Sequence, residues 1–122
     1  MSRKRKPTRK FIPKNEFRYN RSPQAVNHPH FIFGEKNGKF KSLGLTTTPN
    51  PNFKYVKLDT NPQPNNPNPS YLQYKVHSTS KRYYSDPLVG WSFSSGDRSI
   101  VRHRIKLYKK SMNRKKKKIK KK

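Results

Sequence analysis

The sequence predicts a small α+β domain: mostly antiparallel β-strands in a partly open, barrel-like sheet, with one C-terminal amphipathic helix and disordered basic tails. Three observations support this prediction. Short apolar segments dominate the middle of the 122-residue chain, an Asn-Gly dipeptide joins two of them, and apolar residues take helical spacing near the C-terminus. The chain then divides into an arm (residues 1–27), a domain (residues 28–112) and a tail (residues 113–122).

A hairpin opens the predicted domain. Residues 1–27 mix basic, aromatic and proline residues without a sustained period, so we expect an arm there rather than a strand. Phe31 and Phe33 then share one face of a strand. The dipeptide Asn37-Gly38 accepts the positive φ angles of a two-residue turn, and a second apolar strand follows it.

The second strand ends in three threonines and leads into polar loops. We expect an irregularity near Gly44, because glycine inside a strand often marks a bulge. A short strand precedes residues 61–69, NPQPNNPNP, which predict a stiff polar loop because proline restricts its own φ and its predecessor. Leu72, Tyr74 and Val76 then alternate with polar residues, which predicts a strand with one basic, polar face.

An amphipathic helix ends the predicted domain. Ser94 and Asp97 have the spacing of a capping box at its start. The apolar face is formed by residues spaced i, i+4, i+7 and i+11: Val101, Ile105, Tyr108 and Met112. Cations beside this face predict a basic outer surface. The lysine-rich residues 113–122 repel one another, so we expect them to be disordered without a partner.

The charge of the chain indicates a polyanionic partner. Lys and Arg number 31 against 5 acidic residues, which makes the net charge +26. Solubility of a small domain needs only about 2 to 8 charges. Lys and Arg that neutralise phosphates release counterions, which drives binding to nucleic acid. We expect RNA rather than DNA, because aromatic residues interleaved with the cations can stack on unpaired bases.

The residues expected to bind nucleic acid form four groups: the basic arm, a loop with two cations and two tyrosines, the basic stripe of the helix, and the lysine tail. They are Arg3, Lys4, Arg5, Lys6, Lys81, Arg82, Tyr83, Tyr84, Arg98, Arg102, Lys106, Lys109, Lys115, Lys116, Lys117 and Lys118. The tyrosine pair is expected to be exposed, since the adjacent cations indicate a polar loop.

The composition disfavours several kinds of chemistry. The absence of cysteine excludes disulfides, thiolate zinc sites and cysteine nucleophiles. The 5 acidic residues are scattered, which disfavours a Mg²⁺-dependent nuclease, and the pair His28 and His30 lacks further ligands for a metal. We therefore expect no metal and no cofactor. The sequence contains no membrane span and no signal peptide, so we expect a cytoplasmic protein, nuclear in a eukaryote, that is not secreted.

The stretch HPHFIFGEKNGKFKSLGLTTTP, residues 28–49, resembles the opening of small barrel endoribonuclease toxins of the MazF/PemK-like class and their ToxN-like relatives. In those toxins a strand ends in a hydroxyl residue near a proline at the RNA-cleaving site. The resemblance implies metal-independent RNA cleavage, with Thr46 or Thr47 as the phosphate-facing hydroxyl, Lys39 or a neighbouring lysine as the cation, and an antitoxin as partner. MazF-like members have an arginine in the first loop, where this chain has lysines.

The sequence leaves three functions open. The favoured one is RNA binding without catalysis, because three β-branched residues before a proline loop can simply finish a strand. The second is a metal-independent endoribonuclease toxin of a toxin–antitoxin system, in which the 2′-OH of the RNA is the nucleophile. The third is a structural component of a ribonucleoprotein or nucleoid particle, whose tails thread between phosphates.

Overall fold

The computed structural model describes residues 11–23, 25 and 27–120, and the side chains in this part of the chain up to residue 112. The described elements are β1 (Ile12–Asn20), β2 (His28–Lys36), β3 (Lys39–Thr46), β4 (Tyr55–Lys57), β5 (Tyr71–Ser80) and α1 (Ser95–Lys120), with a 3-10 turn at Lys81–Tyr83. The strands form one antiparallel sheet in the order β1-β2-β3-β5-β4. The predicted α+β class, mostly antiparallel β with one C-terminal helix, is confirmed.

The folded unit begins earlier than the predicted boundary at residue 28. β1 pairs along the whole of β2, from Ile12 opposite Glu35 to Asn20 opposite His28. Phe17, in the middle of β1, is buried and contributes to the main apolar cluster. Prolines and cations interrupt the apolar period around β1, so its sequence is typical of an unstructured arm. The structure nevertheless makes it an edge strand of the sheet. Residues 1–10 lie outside the described part of the chain.

The hairpin of β2 and β3 turns where the sequence predicted. Asn37 and Gly38 both have positive φ angles, 56° and 77°. The irregularity expected near Gly44 lies between β3 and β5, where the register shifts between Leu43 and Leu45. Both predictions depend on local backbone preferences, and both are confirmed.

The sheet buries side chains on both faces. The face under α1, which we call the helix face, carries the main apolar cluster of Phe17, Phe31, Phe33, Leu43, Leu45, Leu58, Leu72, Phe93 and Val101. A smaller cluster of Ile32, Phe40 and Tyr84 lies on the opposite face. Three buried polar side chains, His30, Ser42 and Asn20, accompany this smaller cluster, so we call this side the polar face.

The sheet is not closed, but its β1 edge is partly covered. The chain after β5 passes back along β1, where Ser85 N–H donates to Tyr19 O (3.0 Å) and Leu88 N–H donates to Phe17 O (2.7 Å). The backbone groups of β1 are therefore paired on both sides over part of its length. The sheet is therefore open, as the sequence predicted, with its β1 edge partly covered.

The first turn of α1 is fixed by Asp97, which is fully buried. Its N–H donates to Ser94 Oγ (3.2 Å), so Ser94 caps the helix as predicted. The Asp97 carboxylate accepts backbone N–H groups of Asp59 (2.8 Å) and Thr60 (3.1 Å). Asp97 therefore ties the start of the helix to the loop after β4.

The predicted apolar face of α1 packs on the sheet over its first half. Val101 is buried, and Ile105 and Tyr108 are partly buried against the main cluster, whereas Met112 is exposed. The helix continues to Lys120, through a segment in which we expected disorder. Within the described residues, no helix combines the length and the apolar character needed to cross a membrane.

Candidate nucleic-acid interface and histidine cleft

A groove of about 510 Å³ lies between α1 and β1, and we call it the helix groove. Both aromatic and cationic residues line it. The floor includes Phe17, Phe31, Phe33 and Phe93, Trp91 lies at one wall, and the cations are Lys14, Arg98, Arg102 and Lys109. The rings are held in place by one another, since Phe17 lies 5.2 Å from Phe31 and 4.9 Å from Phe93.

The groove keeps its positive charge because its carboxylate is already paired. Glu16 lines the groove and forms an ion pair with Arg18. Arg98 and Arg102 are exposed and lie one helical turn apart, so their guanidinium groups can reach successive phosphates. The Lys109 ammonium lies 4.8 Å from the Phe11 ring. The groove therefore combines exposed cations with buried aromatic rings and with the partly exposed ring of Trp91.

The groove brings together three of the four predicted helix cations. Arg98, Arg102 and Lys109 line it, whereas Lys106 is exposed on α1 outside its lining. Among the other predicted contacts, Lys115, Lys116, Lys117 and Lys118 lie in the last turns of α1. Arg3, Lys4, Arg5 and Lys6 lie outside the described residues. The helix stripe is thus the part of the predicted interface that the fold assembles into a surface.

The loop after β5 is less open than the sequence indicated. Lys81 Nζ donates to Glu35 Oε2 (2.8 Å), which neutralises one of its two cations. The Arg82 guanidinium lies 4.9 Å from the Tyr83 ring and donates to its hydroxyl (3.1 Å). Tyr83 is half-buried beneath this arginine. Such an Arg–Tyr pair can still present a flat surface to a base, but the lysine already has a partner.

The prediction that Tyr84 is exposed is wrong, since only 8% of it is accessible. Its ring packs edge-on against Phe40, with centroids 5.1 Å apart. Its hydroxyl lies 2.8 Å from Ser42 Oγ and accepts from Asn20 Nδ2 (3.1 Å). The polar neighbours in the sequence indicated a loop, but the residue that follows the 3-10 turn points into the polar face.

Tyr84 belongs to a chain of buried hydrogen bonds that reaches His30. Ser42 Oγ lies 2.8 Å from His30 Nδ1 as well as from the Tyr84 hydroxyl. Because Asn20 donates to Tyr84, Tyr84 is positioned to donate onward to Ser42, and Ser42 to His30. This direction places the His30 proton on Nε2, away from the network.

The buried network is kept neutral. Burial, reinforced by the charges of His77 and His28, lowers the pKa of His30 from 6.5 to about 3. Burial also raises the pKa of Tyr84. Both groups are therefore uncharged at neutral pH, and hydrogen bonds replace the water that their polar atoms have lost.

A second cleft, of about 320 Å³, opens in front of His30, and we call it the histidine cleft. His77 lies beside His30, with ring centroids 4.7 Å apart, and its Nε2 lies 2.8 Å from Gln73 Oε1. Burial and then the charge of Lys75 lower the pKa of His77. Gly44 leaves the cleft open, since a Cβ there would lie 2.8 Å from Gln73 Oε1.

The structure places the predicted catalytic residues apart. Thr46 lines the histidine cleft and accepts the Thr48 N–H at its Oγ1 (3.1 Å), while Thr47 lines the adjacent recess. Lys39 is the first residue of β3 and Thr46 is the last. At about 3.3 Å per residue their Cα atoms are roughly 23 Å apart. Lys39 therefore cannot serve the same phosphate as Thr46.

Residues other than Lys39 lie near Thr46 in the histidine cleft. His30 pairs with Gly44 across the sheet, and His28 precedes it by two residues on β2. His28 lines the same cleft as Thr46 and Lys75. The sequence did place Lys75 and His77 on one polar face of a strand, because both alternate with the apolar residues of β5. Their proximity to His28 was not predictable, because it depends on how β3 pairs with both β2 and β5.

The histidines do not form a metal centre by themselves. In the described part of the chain, no group of three or more histidine or carboxylate side chains could hold a metal ion. His30 Nδ1 is already engaged by Ser42, and His77 Nε2 by Gln73. The cleft is better suited to proton transfer and anion binding than to coordination of a metal.

Comparisons of the chain with protein-family models, with curated proteins and with solved structures found no match. The resemblance to small barrel toxins over residues 28–49 therefore stays a prediction from the sequence.

Proposed function

We propose that this protein binds RNA through the helix groove. The observation that supports this proposal is the placement of Arg98, Arg102 and Lys109 around an aromatic floor in one groove, beside Lys14, whose ammonium lies 3.6 Å from the Glu35 carboxylate. Cations along a groove attract phosphates, and the partly exposed ring of Trp91 at its wall offers stacking surface to an unpaired base. The sequence of α1 contains further Lys and Arg residues after Lys109.

The groove favours a single strand over a duplex. Its volume of about 510 Å³ suits a narrow ligand. Single-stranded binders typically combine a cationic groove with aromatic stacking platforms. RNA remains the favoured partner because its sequence-specific recognition targets unpaired loops and ends.

The test is to change Arg98→Gln together with Arg102→Gln and to measure affinity for a labelled single-stranded RNA over a range of salt concentrations. The slope of log K against log salt is negative, and each lost phosphate contact reduces its magnitude by about 0.7. Lys54→Gln together with Lys57→Gln is the matched control, since these two exposed cations at β4 lie outside the groove and their loss removes the same charge. Equal effects of the groove and control changes would show that total charge, rather than the groove, carries binding.

The histidine cleft supports a second candidate function, metal-independent RNA cleavage. His28, Thr46, Lys75 and His77 line one cleft, which opens towards the surface. In such cleavage the RNA 2′-oxygen attacks phosphorus and the bond from phosphorus to the 5′-oxygen breaks. A base accepts the 2′-OH proton, and an acid protonates the leaving oxygen. The lowered pKa of His77 keeps it neutral and able to accept a proton.

Cleavage is tested with labelled RNA in EDTA, with gel detection of products that end in a 2′,3′-cyclic phosphate. Thr46→Ala together with Thr47→Ala, or His77→Gln, should abolish cleavage and change RNA affinity little. Lys39→Ala should leave cleavage intact, because Lys39 lies at the other end of β3. If the native protein cuts no RNA, the cleft is not a nuclease site. Equal affinity for unrelated RNAs, with no cleavage, would then favour a structural role in a ribonucleoprotein.

A further inference from the structure

A third recess, of about 240 Å³, adjoins both sites described above, and we call it the amide pocket. It lies between the Asn/Pro-rich loop, residues 61–69, and the neighbouring ends of β2 and β3. The residues that line it include Tyr19, Trp91, Asn61, Gln63, Asn66 and Asn68. Trp91 also lines the helix groove, so the two recesses share a wall.

The Asn/Pro-rich loop is held in shape by its own side chains. Asn61 Oδ1 accepts the Gln63 N–H (2.9 Å), and Asn61 Nδ2 donates to Asn68 O (3.0 Å). Asn66 Oδ1 accepts the Asn68 N–H (2.9 Å). Together with the fixed φ angles of four prolines, these bonds form the loop before any ligand arrives. A preformed pocket loses little conformational entropy when it binds.

Two amide groups of the pocket keep hydrogen-bonding capacity for a ligand. Asn68 uses its backbone N–H and C=O within the loop, and its side-chain amide is engaged by no other described residue. Gln63 Oε1 accepts from Asn66 Nδ2 (3.0 Å), which leaves the Gln63 Nε2 hydrogens for the pocket. A donor and an acceptor side by side on Asn68 match the edge of a nucleobase.

The pocket differs from the helix groove in its charge. Within the described part of the chain, its lining contains amides, hydroxyls, two aromatic rings and His28, but no lysine, arginine or carboxylate. The half-buried rings of Tyr19 and Trp91 meet edge-on, 6.3 Å apart, so they present a stable apolar corner. A phosphate would find no charged partner in this pocket, whereas a flat heterocycle would find both stacking surface and hydrogen bonds.

We propose that the amide pocket binds one unpaired nucleobase of an RNA whose backbone lies in the helix groove. The base stacks in the corner formed by Tyr19 and Trp91, and the amides of Asn68 and Gln63 pair with its edge. This inference rests on the proposed RNA binding and adds to it the element that reads sequence. The shared wall at Trp91 allows one strand to occupy both recesses.

The test compares base-containing and abasic ligands on the full chain. The ligands are short 2′-O-methyl oligonucleotides of A, C, G or U and an abasic oligomer of equal length and charge, none of which can be cleaved through a 2′-OH. Trp91 is the only tryptophan, so its fluorescence reports directly from the pocket wall. We expect at least one base to quench Trp91 and to bind more tightly than the abasic oligomer.

Asn68→Ala is the discriminating variant, because it removes an amide that makes no described contact within the fold. Loss of a two-point amide–base contact is expected to weaken binding of the preferred base by about 5- to 100-fold. Affinity for the abasic oligomer should not change. Asn65→Gly is the matched control, since Asn65 belongs to the same loop but lies outside the pocket lining, and its φ of 63° suits glycine.

The outcomes separate the pocket from the groove. If oligomers bind but the native protein does not distinguish bases from the abasic ligand, or Asn68→Ala keeps the preference, the pocket assignment is overturned and RNA binding stands. Unchanged Trp91 emission on binding likewise excludes stacking. If neither kind of oligomer binds, both the proposed function and this inference fall.

Discussion

The two faces of the sheet bury their side chains by different means. The helix face is apolar: Phe31 and Leu72 pack there with other rings and aliphatic groups under α1. The polar face buries Asn20, His30 and Ser42, each no more than 2% exposed. Apolar contacts need only close packing, whereas each buried polar atom must find a hydrogen-bond partner.

The helix face mainly stabilises the fold, whereas the polar face mainly shapes a site. Apolar burial on the helix face supplies stability and, at its rim, the floor of the helix groove. The network on the polar face adds less net stability, because its bonds replace bonds to water. It instead fixes the orientation of His30 at the base of the histidine cleft.

The largest loss of folding stability is expected from a truncation of a side chain buried on the helix face. Leu72→Ala removes a side chain that is 0% exposed and should lower the free energy of unfolding by about 2–5 kcal/mol. Urea denaturation followed by circular dichroism measures this loss. Leu107→Ala, the same change at a helix position 39% exposed, should cost no more than about 0.5 kcal/mol. Similar losses in the two variants would remove the distinction between core and surface.

Groups buried on the polar face should make the folding stability of the protein fall in acid. Folding keeps His30 neutral down to a pKa of about 3, whereas the unfolded chain protonates it near 6.5. The unfolded state therefore binds more protons between these values, and stability falls as pH drops, by up to about 1.4 kcal/mol per pH unit. His77, whose pKa is also lowered, acts in the same direction.

Urea midpoints measured between pH 7 and pH 4 test this prediction. His30→Gln should flatten the dependence on pH, although it is expected to lower stability at pH 7 through the lost Ser42 contact. His103→Gln, an exposed helix position, should keep the native slope. A His30→Gln variant that lost stability in acid as steeply as the native chain would contradict the assignment.

A smaller loss is expected when the network is cut at its centre. Ser42→Ala leaves His30 Nδ1 and the Tyr84 hydroxyl without their shared partner, which should cost about 1–3 kcal/mol. Ser78→Ala removes an exposed hydroxyl bonded to Lys41 and should be nearly neutral. If both serine variants match the native chain in thermal unfolding, the buried network does not contribute measurable stability.

The smallest loss of stability is expected from a change in the turn between β2 and β3, which lies on neither face of the sheet. Gly38→Ala meets no atom within 4 Å, so its cost comes from the φ of 77° alone, about 1 kcal/mol. Thermal melts against the native chain measure it. A loss as large as that of Leu72→Ala would mean that the turn also sets the strand register.

Several features could be predicted from the sequence because they depend on neighbouring residues. The Asn37-Gly38 turn, the cap at Ser94 and the apolar face starting at Val101 all follow local preferences of a few adjacent positions. The stripe containing Arg98 follows from the same helical period. These patterns appear in any window of the sequence that contains them, whatever the rest of the chain does.

The sites themselves were only partly predictable. The sequence drew attention to Thr46, which does line a cleft, but it paired this threonine with Lys39 at the far end of β3. It treated Tyr84 as exposed because its neighbours are charged, although the ring fills the smaller cluster. A residue's neighbours in sequence do not decide which side chains surround it after the strands have paired.

The local elements and the large positive charge follow from the sequence alone, because turn residues, side-chain period and ionisable groups act independently of distant partners. Chain pairing in three dimensions was needed to bring β1 into the sheet, His77 beside His30, and Trp91 to the wall shared by the helix groove and the amide pocket. The physical reason is that strand register is set by many weak contacts between residues far apart in the chain, and their sum cannot be read from any single segment.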